Sequence, residues 1–342
     1  MVMDVISIGD VTEDVFVEVT PVASVHCRSK GECYLDLKFG TKLAIERVDK
    51  LIGGNAGNVA IGSRRLGLRS AIYSEVGDDT QGKRLLQSFL DDHVSVRYFR
   101  LKKREKTNYS VVLHYKGERT ILVHHEQRHY CFPSLEKARY VYLTSMSQGS
   151  ERIFLPLRRY LKKTGVQLGF NPGTHQLRLG LSYLKPLLRV TKILFVNVEE
   201  AQTLLRTQNK GLPFLLRELH HQGPKIVVIS DGPQGSYTYD GKKLYYCPIY
   251  DVPVVERTGC GDSYATGFLS AIAYGKTVIE AMKWGTVNAA SVIQQVGPQA
   301  GLIQQSLLQK ILKANTLFQV RTFHEKEVTK NRLYKPAKYT SF

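Results

Sequence analysis

Acidic residues are in short supply: 30 aspartates and glutamates face 48 lysines and arginines, a formal net charge of +18 at pH 7. A surplus of that size raises nucleic acid or another anionic surface as a partner. The cations are nevertheless scattered through 102–106, 158–163, 242–243 and the C-terminal tail, with no nucleic-acid module around them. They read as solvated faces, and no nucleic-acid partner is expected. Cysteine is sparse as well. Cys27, Cys33, Cys131, Cys247 and Cys260 form no CxxC pair and no metal-ligand spacing, which argues against a structural zinc site. Cys27 and Cys33 are spaced to face each other across a hairpin, with a reduced pair expected in a cytoplasmic protein. No run approaches the roughly 20 apolar residues that span a bilayer. The first ten residues are strand-like and contain acids, rather than a basic segment followed by an apolar one, so secretion is not expected and the cytoplasm is the expected compartment. Internal repeats and low-complexity segments are missing too.

What is present suits a soluble globular protein, with 43% hydrophobic and 23% charged residues. A chain of 342 residues can bury a sizeable core, as one large α/β domain with an appendage or as two medium domains. The apolar run Val5-Ile6-Ser7-Ile8 ends in Gly9 with Asp10 and Asp14 just beyond, as at the carboxyl end of a buried parallel strand. Alternating stretches at 15–48 and 108–125 predict short antiparallel strands, the second turning near Lys116 and Gly117. A glycine-rich loop opens a small-residue helix over 53–66, followed by a strand at 70–76 and a helix at 80–91. Strands at 140–144, 167–171, 193–197 and 225–230 then alternate with amphipathic segments at 150–163, 181–188, 198–206 and 212–221. Such alternation predicts a mostly parallel sheet covered on both faces. A hairpin over 235–246 and helices near 259–274, 278–294 and 306–314 complete the body. Residues 321–342 are basic and aromatic without periodicity and read as an extension.

The run E-R-T-G-C-G-D-S-Y-A-T-G-F, from Glu256 to Phe268, is the most informative segment. Two glycines bracket a small residue directly before an acid, at the start of an apolar helical pattern. That turn aims backbone N–H groups outward and makes an anion pocket. A carboxylate at its mouth repels a bound phosphate, so Asp262 suggests a second task, removal of a proton from a hydroxyl that attacks a phosphoryl group.

Together with G-G-N-A-G-N-V-A at 53–60, this run resembles the signatures of the ribokinase (PfkB) family of carbohydrate and nucleoside kinases, over about residues 4–314. The resemblance implies a ribokinase-like α/β three-layer sandwich at 1–320, with a mostly parallel central sheet, a small β lid built from 15–48 and 97–126, and a basic extension at 321–342. It implies ATP-dependent phosphorylation of a sugar hydroxyl, with Asp262 as catalytic base and the backbone of Gly259, Cys260 and Gly261 as anion hole. Asp14 matches the acid that binds two sugar hydroxyls, with Asp10 sharing that work or capping a turn. Gly53, Gly54 and Asn58 match the substrate wall, and Asn55 stands where ribokinases carry a lysine. Asn197 and Glu200 match the N-x-x-E pair near the phosphates, with Glu200 on magnesium through water. Asn171 would touch phosphate or substrate, while Ser230, Gly232 and Gly235 match the nucleotide loop, with Asn288 bordering the adenine. Glu256 stands where many relatives use an aspartate to hold a monovalent cation such as potassium, and Cys260 replaces the usual alanine. Arg119, His124, His125 and Arg128 fall where lid residues select substrate. Relatives often dimerise through the lid. A nucleoside is the alternative acceptor, and a silent nucleic-acid-binding protein with this fold a more distant one.

Overall fold

The structure, a computed structural model, describes residues 2–28, 33–116 and 118–323. Strand β1 (Met3–Ile8) is buried along nearly all its length, because both its neighbours are parallel strands and both faces of the sheet are covered. The chain then leaves the sheet through β2 (Thr12–Glu18), the hairpin β3 (Ala23–Cys27) and β4 (Cys33–Leu37), and β5 (Val48–Gly53). Helix α1 (Asn55–Arg65) and β6 (Ser70–Tyr73) bring it back, followed by β7 (Glu75–Gly77), α2 (Thr80–Asp91) and β8 (Arg100–Lys102). A second excursion makes β9 (Asn108–Tyr115) and β10 (Glu118–His124). Strand–helix units follow: β11 (Ala138–Leu143), α3 (Phe154–Thr164), β12 (Gln167–Phe170), α4 (Thr174–Leu179), α5 (Leu181–Leu188), β13 (Thr191–Asn197), α6 (Val198–Leu205), α7 (Leu212–His221) and β14 (Ile226–Ser230). The last third holds β15 (Ser236–Tyr239), β16 (Leu244–Cys247), α8 (Cys260–Ala273), α9 (Val278–Val292), α10 (Gln305–Ala314) and β17 (Arg321–Phe323).

The central nine-stranded sheet runs β17-β16-β15-β14-β13-β12-β11-β1-β6. Its strands from β14 to β6 are parallel, and β15, β16 and β17 add an antiparallel edge. One face carries α3, α5, α6 and α7, which bury Leu157, Leu187, Leu204 and Leu216 with Leu143 and Val227 of the sheet. The other carries α8, α9 and α10, which bury Phe268, Trp284 and Leu308 with Ile193 and Val228. The result is the expected three-layer α/β sandwich. A four-stranded lid sheet, β10-β9-β2-β5, stands apart from it.

Four details differ from the sequence reading. The lid sheet begins earlier than residue 15 and extends past residue 48, because Thr12 pairs with both Gly53 and Asn108; the buried polar residues Thr12, Glu13 and Asp14 hide the strand from an apolar pattern. Residues 70–76 split at Ser74 into β6 and β7. Cys27 and Cys33 oppose each other in the β3–β4 register and form a disulfide, not the expected reduced pair. The boundary at 320 moves outward, since Arg321–Phe323 pairs with β16 and buries Phe323 against Tyr237. The rest of the expected extension, 324–342, and Gly117 of the expected turn lie outside the described residues.

Candidate active site

The carboxyl ends of the parallel strands open under the lid into a cavity of about 390 Å³, the place where open α/β sheets bind ligands. Asp10, Asp14, Gly54, Asn58, Asn171, Asn197, Glu200, Ser230 and the turn 258–262 all line it. Residues from both predicted signatures, about 200 positions apart in sequence, therefore share one wall: the Asn58 Nδ2 donates to the Asp262 Oδ2 at 2.8 Å.

Asp262 sits in the first turn of α8 and is 8% exposed. Burial pushes its carboxyl up to about 6, the Asn58 hydrogen bond pulling the other way and the charges of Glu200 and Asp14 adding to the rise. Gly259 caps the helix at φ 77°, a left-handed conformation that a side chain resists, and an added Cβ would lie 2.4 Å from that of Pro298. The Cys260 N–H donates to the Arg257 carbonyl at 3.3 Å. Among the described residues, the N–H groups of Gly259, Gly261 and Asp262 have no protein acceptor, so the free donors include Asp262 itself and not Cys260 as predicted. Burial raises the Cys260 thiol to about 11, which makes it an inert wall rather than an acidified thiol.

Asp14 projects from β2 into the same cavity, accepts from the Thr12 Oγ1 at 3.1 Å, and is likewise raised to about 6 by burial. Gly53 backs it: a Cβ there would lie 1.8 Å from the Asp14 Oδ2, so the glycine makes room for the carboxylate rather than for a ligand. Asp10 is occupied differently. The Tyr130 hydroxyl and the Ser147 N–H and Oγ donate to it at 2.7–2.9 Å, while it also lines the cavity. Asn58 is similarly engaged, with its Oδ1 accepting from the Gln299 Nε2 at 3.0 Å, and it holds Asp262 while lining the cavity.

Asn197 and Glu200 form a reciprocal capping box on α6, with each backbone N–H donating to the other's side chain. Their spacing is thus explained locally, while Glu200 also faces the cavity with a carboxyl raised by burial. Of the two raised carboxylates, Asp262 feels the charge of Glu200, and a hard cation with oxygen ligands relieves that repulsion. The donor set fits a magnesium ion that keeps most of its waters, and no group of three or more metal-binding side chains exists among the described residues. Asn171 lines the cavity but donates to the Phe195 carbonyl. Gly232 and Gly235 flank the loop after β14 without lining the cavity. Asn288 is fully buried and donates to the Ser263 carbonyl, joining α9 to α8, and does not line the cavity.

The lid contributes residues that sequence reasoning placed loosely. Arg119, Ile121, Val123 and His125 face inward at alternate positions of β10 and just beyond it, and Ser110 joins them from β9. His124 points away, while Arg128 is buried and bonded to Glu105 and the Lys106 carbonyl. Ser145 and Thr174, also in the wall, carry no sequence signal.

The chain is 25% identical over 285 residues to an ATP-dependent 6-phosphofructokinase of Thermoanaerobacterium thermosaccharolyticum, covering 78% of this chain and 87% of that one. It is 26% identical over 271 residues to a nucleoside kinase of Methanothermobacter thermautotrophicus, covering 77% and 84%. The structure of Arabidopsis thaliana ribokinase complexed with ribose and ATP shares the fold at a TM-score of 0.76 and 21% identity, over 92% of this chain and 99% of the other. The family model described as pfkB family carbohydrate kinase matches residues 29–305, most of the chain, and with the Asp262 turn and the 53–60 loop meeting in one cavity, the chain belongs to the pfkB family of carbohydrate kinases, phosphotransferases with an alcohol group as acceptor.

Proposed function

We propose that this chain transfers the γ-phosphoryl group of ATP to a primary hydroxyl of a sugar. The observation that carries the reading is Asp262, a buried carboxylate at the N-terminus of α8 that shares a cavity with Asp14. Asp14 accepts hydrogen bonds from two neighbouring hydroxyls and so orients the sugar. Asp262 takes the proton of the attacking hydroxyl as the new oxygen–phosphorus bond forms and the bond from the γ-phosphorus to the β,γ-bridging oxygen breaks. The N–H groups of Gly259 and Gly261, with the helix N-terminus behind them, meet the charge on the transferring group. Magnesium, held through Glu200 and waters, supplies neutralisation of the nucleotide phosphates when bound. Asn171, Asn197 and Ser230 lie where the phosphates and ribose of ATP approach, with Gly232 and Gly235 shaping the loop beside them. The lid excludes water and limits hydrolysis.

A nucleoside acceptor is favoured by one feature, the aliphatic pair Ile121 and Val123 on the inner face of the lid, which suits a base as well as a sugar ring. ADP release measured across pentoses, hexoses, sugar acids, sugar phosphates and nucleosides separates the two. Asp262→Asn is expected to lower turnover by about 10²- to 10⁴-fold while ATP binding persists; unchanged turnover sinks the assignment. The homodimer proposal rests on the outer lid, where Leu122 is 55% and Val48 49% exposed. No helix is long and apolar enough to cross a membrane, among the described residues. The cytoplasmic setting remains part of this proposal.

A further inference from the structure

The Glu256 position, where many relatives hold a monovalent cation, is built differently in this chain. Glu256 is 1% exposed. Its Oε1 accepts from the backbone N–H and the hydroxyl of Thr258, and its Oε2 accepts from the Gly297 N–H at 3.1 Å. One methylene longer than aspartate, the side chain straps the turn 256–258 to Gly297 and gives three of its roughly four lone-pair sites to N–H and O–H donors. A potassium ion needs those lone pairs as ligands. The Arg119 Nε stands 3.9 Å from the Glu256 Oε1, so a fixed positive charge already faces the carboxylate. A cation placed against Glu256 would meet that charge at close range, which disfavours it. The residues present do not fit a monovalent cation.

The guanidinium comes from the lid. Arg119 lies on β10, and its neighbour Glu118 pairs with Arg257, the neighbour of Glu256, at 3.2 Å. Two adjacent pairs of opposite polarity therefore join the lid to the turn that opens α8. The Glu118–Arg257 pair is solvent-exposed and weak, whereas Arg119 reaches a buried carboxylate. Its charge also bears on the Cys260 thiol, which places it beside the anion pocket. Arginine keeps its charge at any physiological pH and offers donors in a fixed plane.

We infer that Arg119 is a built-in counter-cation: a positioning residue that takes the place of a monovalent cation at Glu256 and orders the 256–262 turn only when the lid is closed, so that the chain works without potassium. The inference rests on the kinase reading of the cavity for its rate readout, but its binding and thermal readouts stand alone. The thermal midpoint, the affinity for magnesium-ADP and the initial rate would be measured on the full chain in potassium, sodium, caesium and choline chlorides at equal ionic strength. All three readouts are expected to be the same in every salt. Arg119→Gln is expected to weaken magnesium-ADP binding or lower kcat by about tenfold or more, with Arg119→Lys recovering most of the loss. A saturable, potassium-specific rise in any readout of the parent overturns the inference, and so does an Arg119→Gln protein that matches the parent in all three. A protein that binds magnesium-ADP indifferently to salt and loses that binding on Arg119→Gln, yet phosphorylates no sugar or nucleoside, supports the inference and contradicts the kinase reading.

Discussion

Asp262 and Asp14 illustrate how one pair of carboxylates can serve function at the expense of stability. Each is buried, each is raised to about 6, and the charge of Asp14 adds to the rise of Asp262. A base must be ionised to accept a proton, so kcat/KM is expected to fall as pH drops through about 6, with the limb belonging to the interacting pair rather than to either residue. A pH–rate profile flat from 5 to 8 would contradict this. The stability consequence has the opposite sense. Because the folded pKa lies above the unfolded value near 3.8, the native state holds the extra proton between about 4 and 6, and stability declines as pH rises through that window. At pH 7 Asp262→Asn is therefore expected to leave the thermal midpoint unchanged or raised, by an amount of order 1 kcal/mol, while activity collapses. Calorimetry beside turnover checks the pair of outcomes. The carboxylates at 14 and 262 are legible in sequence because their motifs are dense. The engagement of Asp10 by Tyr130 and Ser147 is not, since those partners are 120 and 137 positions away and carry no motif.

At the scale of elements, the start of α8 concentrates the proposed chemistry. The N–H groups of Gly259, Gly261 and Asp262 are free of protein acceptors where Gly259 turns the chain in the left-handed region just before the helix. Gly259→Ala places a side chain in that conformation and against Pro298, and is expected to destabilise the fold by about 2 kcal/mol and to lower kcat more than it raises KM. Equal kcat in the variant would detach the turn from the transition state. The run E-R-T-G-C-G-D makes this element readable from its residues alone, since glycine, small residue, glycine and acid at a helix start have few other uses. The lid is readable as alternation but not in its bounds. Thr12, Glu13 and Asp14 begin β2 with buried polar groups, and only pairing with Gly53 and Asn108 reveals the strand. The helix α4 has no sequence signal, being six residues long, below the length at which periodicity declares itself.

Across the whole molecule, the lid is the part with surface to spare. Leu122 faces outward between the inward Ile121 and Val123, and the exposed edge and apolar outer face of a small sheet invite pairing with a second copy. Leu122→Arg is expected to shift the chain from dimer to monomer in analytical ultracentrifugation while the cavity, which Leu122 does not line, keeps its chemistry; a parent already monomeric at micromolar concentration would refute the dimer. The charge of +18 has a plainer reading at this scale, because the cations are scattered along the sequence without a nucleic-acid module around them. By itself, the amino-acid sequence determined the α/β class, the order of strands and helices, and the two dense signatures, because these depend on local periodicity and on glycines at turns. Only the tertiary structure decided which side chains face the cavity and which hydrogen-bond within the protein. In one dimension Asn288, Asp10 and Glu256 look alike as site residues, yet Asn288 donates to Ser263 outside the cavity lining, Asp10 lines the cavity while accepting from Tyr130 and Ser147, and Glu256 accepts from Thr258 and Gly297. Most buried polar groups find a partner, and which partner each finds is a property of folded space, not of sequence spacing.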